Sequence, residues 1–197
     1  YGLAEFRRVN ENNIDINRNF LDFPIPSQIN NSHSTSPKLD QLKWSELIST
    51  EKAIEDIVKW VNQVGLAEAQ SAITAGQYIN PNQLFYGGNK ASRSRLLIEQ
   101  SFAALTRRFK RFIVLDIHSG LGAYGEMKPI HEGGNTGFGN IIFPNLLLAG
   151  AAGGLSSNLN GTLTGASPKM LRNLPTESFV LELGTYSPIT LFAAMQR

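Results

Sequence analysis

Three stretches of the 197-residue chain concentrate side chains able to do chemistry. The first is Arg7-Arg8 followed by Asp15-Ile16-Asn17-Arg18-Asn19-Phe20. Arginine offers a planar fork of donors that matches a carboxylate, and asparagine adds two directional donors. Such a cluster could hold a substrate carboxylate and polarise a carbonyl. A surface turn with Asp15 paired to one arginine would use the same residues for structure alone. The second stretch is Asp116-Ile117-His118-Ser119-Gly120. It follows an apolar run, so His118 stands where α/β sheets gather their ligands, outside the carboxyl end of a strand. A metal ligand, a general base and an ordinary hydrogen-bonded histidine all fit that place. The third is Glu182, set inside Phe179-Val180-Leu181-Glu182-Leu183-Gly184. A carboxylate amid buried apolar side chains is costly unless paired or functional, which points to a general base or to an ion pair within the core.

Strands and helices must position these groups, and the apolar pattern supplies them. Phe112 to Ile117 is a near-continuous apolar, β-branched run that predicts a strand buried on both faces, as in a parallel sheet. Phe179 to Leu183 predicts another. From Glu51 to Val64, residues Ile54, Ile57, Val58, Val61 and Val64 recur at helical spacing, with Gly65 as a stop. Leu66 to Ala75 predicts a second short helix. Ser92 is a candidate N-cap for a helix bearing Ile98, Phe102, Leu105 and Phe109 on one stripe. Arg107, Arg108, Lys110 and Arg111 fall near the end of that helix, where cations suit the macrodipole. Residues 22–40, with Pro24, Pro26 and Pro37, read as a long irregular segment. Residues 120–165 hold 12 of the 18 glycines and read as loop-rich. Helices followed by buried strands predict an α/β sandwich.

Composition removes several function classes. Apolar residues are 42% of the chain and charged residues 17%, enough side chain for a core and too little charge for disorder. A net charge of only +2 weakens the case for a nucleic-acid binder, whose usual signature is a strongly basic face. The absence of cysteine excludes disulfides, thiolate-bound zinc, iron–sulfur clusters and thiol catalysis. No apolar run reaches the roughly 18 residues of a membrane span. There is no Gly-x-Ser-x-Gly elbow and no phosphate loop, and Gly137-Phe138-Gly139 lacks the third glycine of a dinucleotide site. The chain opens on Tyr1 without a signal-peptide layout and reads as an internal piece, a single catalytic-type domain over residues 1–197 cut at both ends.

In order and approximate spacing, Arg7, Asp15-x-Asn17-Arg18-Asn19-Phe20, Asp116-x-His118-Ser119 and Glu182 resemble the zinc carboxypeptidase (carboxypeptidase A) superfamily, over residues 1–195. The runs Gly76-Gln77-Tyr78, Phe85-Tyr86-Gly87-Gly88 and His118-Ser119-Gly120-Leu121-Gly122-Ala123-Tyr124-Gly125 look like a bacterial branch of it with no established activity. The resemblance implies a three-layer α/β sandwich with a mixed, mainly parallel sheet flanked by helices, and zinc as cofactor. It implies His118 as the third zinc ligand, and Glu182 as the general base and acid. It implies Arg7 as the oxyanion group, with Arg8 as its alternate, and Asn17 and Arg18 as the grip on a terminal carboxylate. The implied reaction is hydrolysis of an amide bond next to a free carboxylate, in a small peptide or an N-acyl amino acid. The alternatives are an aspartoacylase-like deacylase of N-acyl amino acids and a carboxylate-binding domain that has lost zinc.

Two features depart from the superfamily. Its first two ligands form a His-x-x-Glu motif, but His33, His118 and His131 are followed three positions later by Ser36, Leu121 and Gly134. The motif is therefore expected upstream of Tyr1, and this piece alone is expected to be inactive. Residues 155–170 contain no counterpart of the tyrosine that closes over substrate.

Overall fold

In the computed structural model, which describes residues 2, 4–5, 7–25, 50–65, 69, 72, 74–120, 122–131, 136–148, 159–187 and 190–191, the helical spacing upstream of Gly65 forms α1 (Thr50–Val64). Gly65 ends it at a φ of +88°, a backbone region that suits glycine. Ile57 and Trp60 of α1 pack on Ala69 and Phe85, the latter in the aromatic loop. The next helix, α2 (Arg93–Leu105), begins at Ser92, whose hydroxyl accepts from the Arg95 amide at 3.2 Å. It ends before Phe109, which is half exposed. The four cations expected near its end lie beyond it, and its last turn holds no basic residue. The predicted helix at 66–75 falls largely outside the described residues, as does the irregular segment past residue 25.

The remaining elements are β1 (Phe112–Gly120), β2 (Met127–His131), α3 (Thr136–Ile142), β3 (Leu147–Leu148), α4 (Leu163–Met170) and β4 (Thr176–Gly184). The sheet order is β1-β4-β2-β3. β1 pairs with β4 and β2 with β3 in parallel, while β2 and β4 are antiparallel. This is the expected mixed, mainly parallel sheet with flanking helices. α4 covers one face, where Ser167 and Ser178 hydroxyls meet at 2.6 Å. On the other face, Phe179 meets Phe143, just past α3, and His131 at centroid distances of 5.3 and 5.1 Å. The glycine-rich stretch thus contains a strand pair and a helix that its composition concealed, and the start of α4.

β4 is an interior strand, with Phe179 at 0% and Val180 at 5% exposure. β1 departs from the expectation of burial on both faces. It lies at the edge of the described sheet, and among the described residues only its face under α4 is covered. Val114 is buried there, whereas Ile113, Leu115 and Ile117, pointing the other way, are 48%, 49% and 66% exposed.

Candidate active site

The parallel register sets His118 directly beside Glu182. Side chains at paired positions of neighbouring strands share a face, so the two groups meet although 64 positions separate them. His118 Nδ1 lies 3.3 Å from Glu182 Oε1. Asp116 is two residues back on the same strand and therefore on the same face, and its Oδ2 lies 3.0 Å from His118 Nε2. Both ring nitrogens thus face a carboxylate. Burial works against the imidazolium, but Asp116 and Glu182 outweigh it and raise the His118 pKa from 6.5 to about 9. Gly120 is next on that face: a Cβ there would lie 2.7 Å from Glu182 Oε2, and the carboxylate would have to shift to make room.

Asn17 reaches this pair from the other side. Asp15 caps a short 3₁₀ turn, Ile16–Arg18, by accepting from the Asn17 amide at 3.0 Å. The Asn17 side chain then projects to the first turn of α4. Its Oδ1 accepts from the Leu163 amide at 2.7 Å. That contact fixes the orientation of the side-chain amide, because only oxygen can accept there. Nδ2 consequently turns to Asp116 Oδ2, at 3.3 Å. Asp116 Oδ2 so receives both Asn17 and His118.

Arg8 supplies the positive charge. Its Nε donates to Asp15 Oδ2 at 2.8 Å, and its guanidinium lies over Phe85, 5.0 Å from the ring centroid. Burial resists the charge on Arg8, but Asp15 chiefly, and then Glu182 and Asp116, hold it. Asp15, unlike the partly exposed Arg8, is buried, yet Arg8 and then Arg18 keep its carboxyl below the usual range. These groups open onto a cavity of about 260 Å³. Arg8, Asp15, Asn17, Asp116 and His118 form its polar side, and Ile16, Phe20, Ile98 and Leu163 its apolar side.

The expected site residues therefore divide. His118, Glu182 and Asn17 come together. Arg7 stays outside, its guanidinium donating to Asn13 Oδ1 at the exposed surface at 2.9 Å, while its alternate, Arg8, lines the cavity. Arg18 is 3% exposed and does not line the cavity. Its Nε donates to the Thr74 carbonyl at 2.9 Å and Nη1 to the Asn17 carbonyl at 2.6 Å. Asn19 also serves structure, bonding Gly87 and Lys90 carbonyls and the Ser92 amide ahead of α2. Asp116 carried no role in the sequence reading. The signal was there in its i, i+2 spacing from His118, which puts both on one face of any strand.

Among the described residues no three His, Cys, Asp or Glu side chains are grouped to hold a metal ion. Toward zinc they offer one imidazole, with Nε2 engaged by Asp116 and Nδ1 beside Glu182, an arrangement that suits one ligand next to a base. No helix among the described residues is long and apolar enough to cross a membrane. The chain belongs to the family described as Protein of unknown function (DUF2817), whose profile matches residues 1–197. No curated protein and no solved structure matches it.

Proposed function

We propose that the chain carries the base and one metal ligand of a zinc-dependent hydrolase of the carboxypeptidase type, which cleaves an amide bond adjacent to a free carboxylate. The observation that supports this best is His118 Nδ1 at 3.3 Å from Glu182 Oε1, at the carboxyl ends of parallel strands and beside the cavity that Arg8 lines. The likeness to the zinc carboxypeptidase superfamily in residue order agrees with it. In this reading His118 would hold the metal through Nδ1, giving up its contact with Glu182 while Asp116 keeps Nε2. Two further ligands are required, and the reading assigns them to a His-x-x-Glu element, which the described residues do not contain. Zinc, when bound, lowers the pKa of its water to roughly 7.

Glu182 takes the proton of the attacking water as the oxygen adds to the amide carbonyl carbon. It returns that proton to the amine nitrogen as the C–N bond breaks. Carboxylate recognition falls to Arg8 instead of Arg18. With Nε on Asp15, the two Nη groups of Arg8 remain as an end-on fork for the substrate carboxylate. Arg18 supports the 3₁₀ turn from behind, and Asn17 holds Asp116.

The test uses the full-length protein with zinc. Glu182→Gln should keep its metal and lose turnover of N-acyl amino acids and dipeptides by about 10²- to 10⁴-fold. His118→Ala should lose zinc itself. Loss of zinc from folded Glu182→Gln would remove Glu182 from the role of base. Absence of hydrolysis in the wild-type protein with zinc bound would leave a carboxylate-binding domain as the better reading.

A further inference from the structure

We infer that the turn between α2 and β1 is a docking surface for the headgroups of an anionic lipid bilayer. Such a surface needs nothing from the hydrolase reading. Arg107, Arg108, Lys110 and Arg111 crowd just past the end of α2, and all four are exposed. Among the described residues none of them forms an ion pair or a side-chain hydrogen bond. A cation serves a helix within its last turn, where the carbonyls carry the negative end of the dipole. That turn holds no basic residue here, so the helix does not account for the four. Between Ser92 and Leu115 the sequence has six cations and one acid, Glu99, which Arg95 takes at 2.7 Å. The net charge of +2 for the whole chain therefore hides a strongly basic corner. Arg172, also exposed, stands in the loop before β4. That loop reaches the start of β1, where the Phe112 amide donates to the Pro175 carbonyl at 2.9 Å.

Apolar side chains stand among the cations. The Phe109 amide donates to the Leu105 carbonyl at 3.0 Å, which sets the two residues one turn apart on the same side. Leu105 and Phe109 are 41% and 53% exposed. Cations flanking exposed aromatic and aliphatic groups match the boundary between lipid headgroups and acyl chains. The charges meet the phosphates, and the hydrocarbon enters below them. A nucleic acid would take the charges and stack on Phe109, but it has no use for Leu105. The placement also fits a bilayer. His118 lies six residues along β1 from Phe112, about 20 Å at the rise of a strand. α2 gives the same measure: it starts where the Ser92 amide meets Asn19 and runs about 20 Å to this turn. The His118–Glu182 pair thus sits at the far end of the sheet, away from a membrane on which the turn rests.

Co-sedimentation of the full-length protein with vesicles tests this. The protein should pellet with phosphatidylcholine vesicles containing about one-third phosphatidylglycerol, and stay in solution with phosphatidylcholine alone. Binding should fall steeply as salt rises from about 0.05 to 0.5 M. Each cation near an anionic surface contributes about fivefold, so Arg108→Gln combined with Lys110→Gln should weaken binding by roughly 25-fold. Phe109→Ser should weaken it by about tenfold through lost apolar burial. Circular dichroism should show the fold retained, and Arg107→Gln combined with Arg111→Gln repeats the test if the first pair fails to fold. Equal binding to both kinds of vesicle, binding to neither, or wild-type binding by the folded double variants overturns the inference. So does binding to a single-stranded oligonucleotide at concentrations that leave the anionic vesicles bare.

Discussion

Removing either carboxylate from His118 should change both its titration and the stability of the fold. Without metal, the ring lies between Asp116 Oδ2 at 3.0 Å and Glu182 Oε1 at 3.3 Å, and its pKa stands at about 9 instead of 6.5. That gap corresponds to about 3 kcal/mol of preference for the imidazolium in the folded chain. The His118 side chain is 23% exposed, so solvent screens only part of this. Since the folded value is the higher one, this stability is fully present below pH 6.5. It declines as pH rises and is gone above about 9. With a urea dependence of about 1–3 kcal/mol per molar, the unfolding midpoint in chelator should fall by roughly 1–3 M between pH 6 and pH 9.5. The chain has three histidines, so proton NMR of the ring Hε1 signals can follow each one directly. Glu182→Gln and Asp116→Asn should each bring the His118 midpoint down by about one pH unit or more and flatten the stability profile. A wild-type His118 that titrates near 6.5, or one that neither substitution moves, would refute the reasoning.

Other substitutions separate structure from chemistry. Arg18→Lys should destabilise the fold by about 1–3 kcal/mol, read by urea unfolding, because one ammonium cannot serve both the Thr74 and Asn17 carbonyls that Arg18 holds. Gly120→Ala should displace the Glu182 carboxylate, 2.7 Å from the added methyl, and shift the His118 titration while circular dichroism shows the sheet intact. Ser92→Ala should cost about 0.5–2 kcal/mol in a thermal melt through loss of the α2 cap at Arg95.

How far the site could be read from sequence depended on whether a residue's role is local. Glu182 stood out because a carboxylate inside an apolar run is expensive wherever the run packs. His118 stood out through its place at the end of another such run. Their meeting is a matter of register, which no local pattern specifies. Arg7 and Arg8 could not be told apart because adjacent residues differ only in which way the backbone turns them, and it was Asp15, seven positions on, that captured Arg8. Arg18 shared the composition of a substrate grip. Its burial comes from distant contacts, with Tyr78 hydrogen-bonded to its carbonyl and Phe85 5.4 Å from its guanidinium. The apolar run of β1 looked central because Ile113, Leu115 and Ile117 are as hydrophobic as their neighbours. Nothing in a single strand's sequence says how many strands lie beside it. The glycine-rich stretch hid β2, α3 and β3, which are too short to develop a period.

The register between β1 and β4 is therefore the feature on which the chemistry depends most. Their pairing runs from Phe112 with Thr176 to Gly120 with Gly184 without a break. Sliding β4 by one residue would turn Glu182 to the opposite face, because strand side chains alternate. It would also move Ser178 from Ser167 and take Phe179 from its place against Phe143. A buried hydroxyl pair on one face and an aromatic contact on the other thus hold the alignment that puts the carboxylate beside the imidazole. The third support is Asn17, tied to the Leu163 amide at 2.7 Å and to Asp116 at 3.3 Å. It links the polar N-terminal segment to α4 and to β1 at once. In this arrangement Asp15 and Asn19 shape the turn, Arg18 supports it, and Asn17 alone of the Asp-x-Asn-Arg-Asn run meets the histidine. The motif's density of polar side chains reflects the number of backbone groups that a turn at a sheet edge leaves to be satisfied. Of the polar side chains in that segment, Arg8, Asp15 and Asn17 face the cavity beside His118.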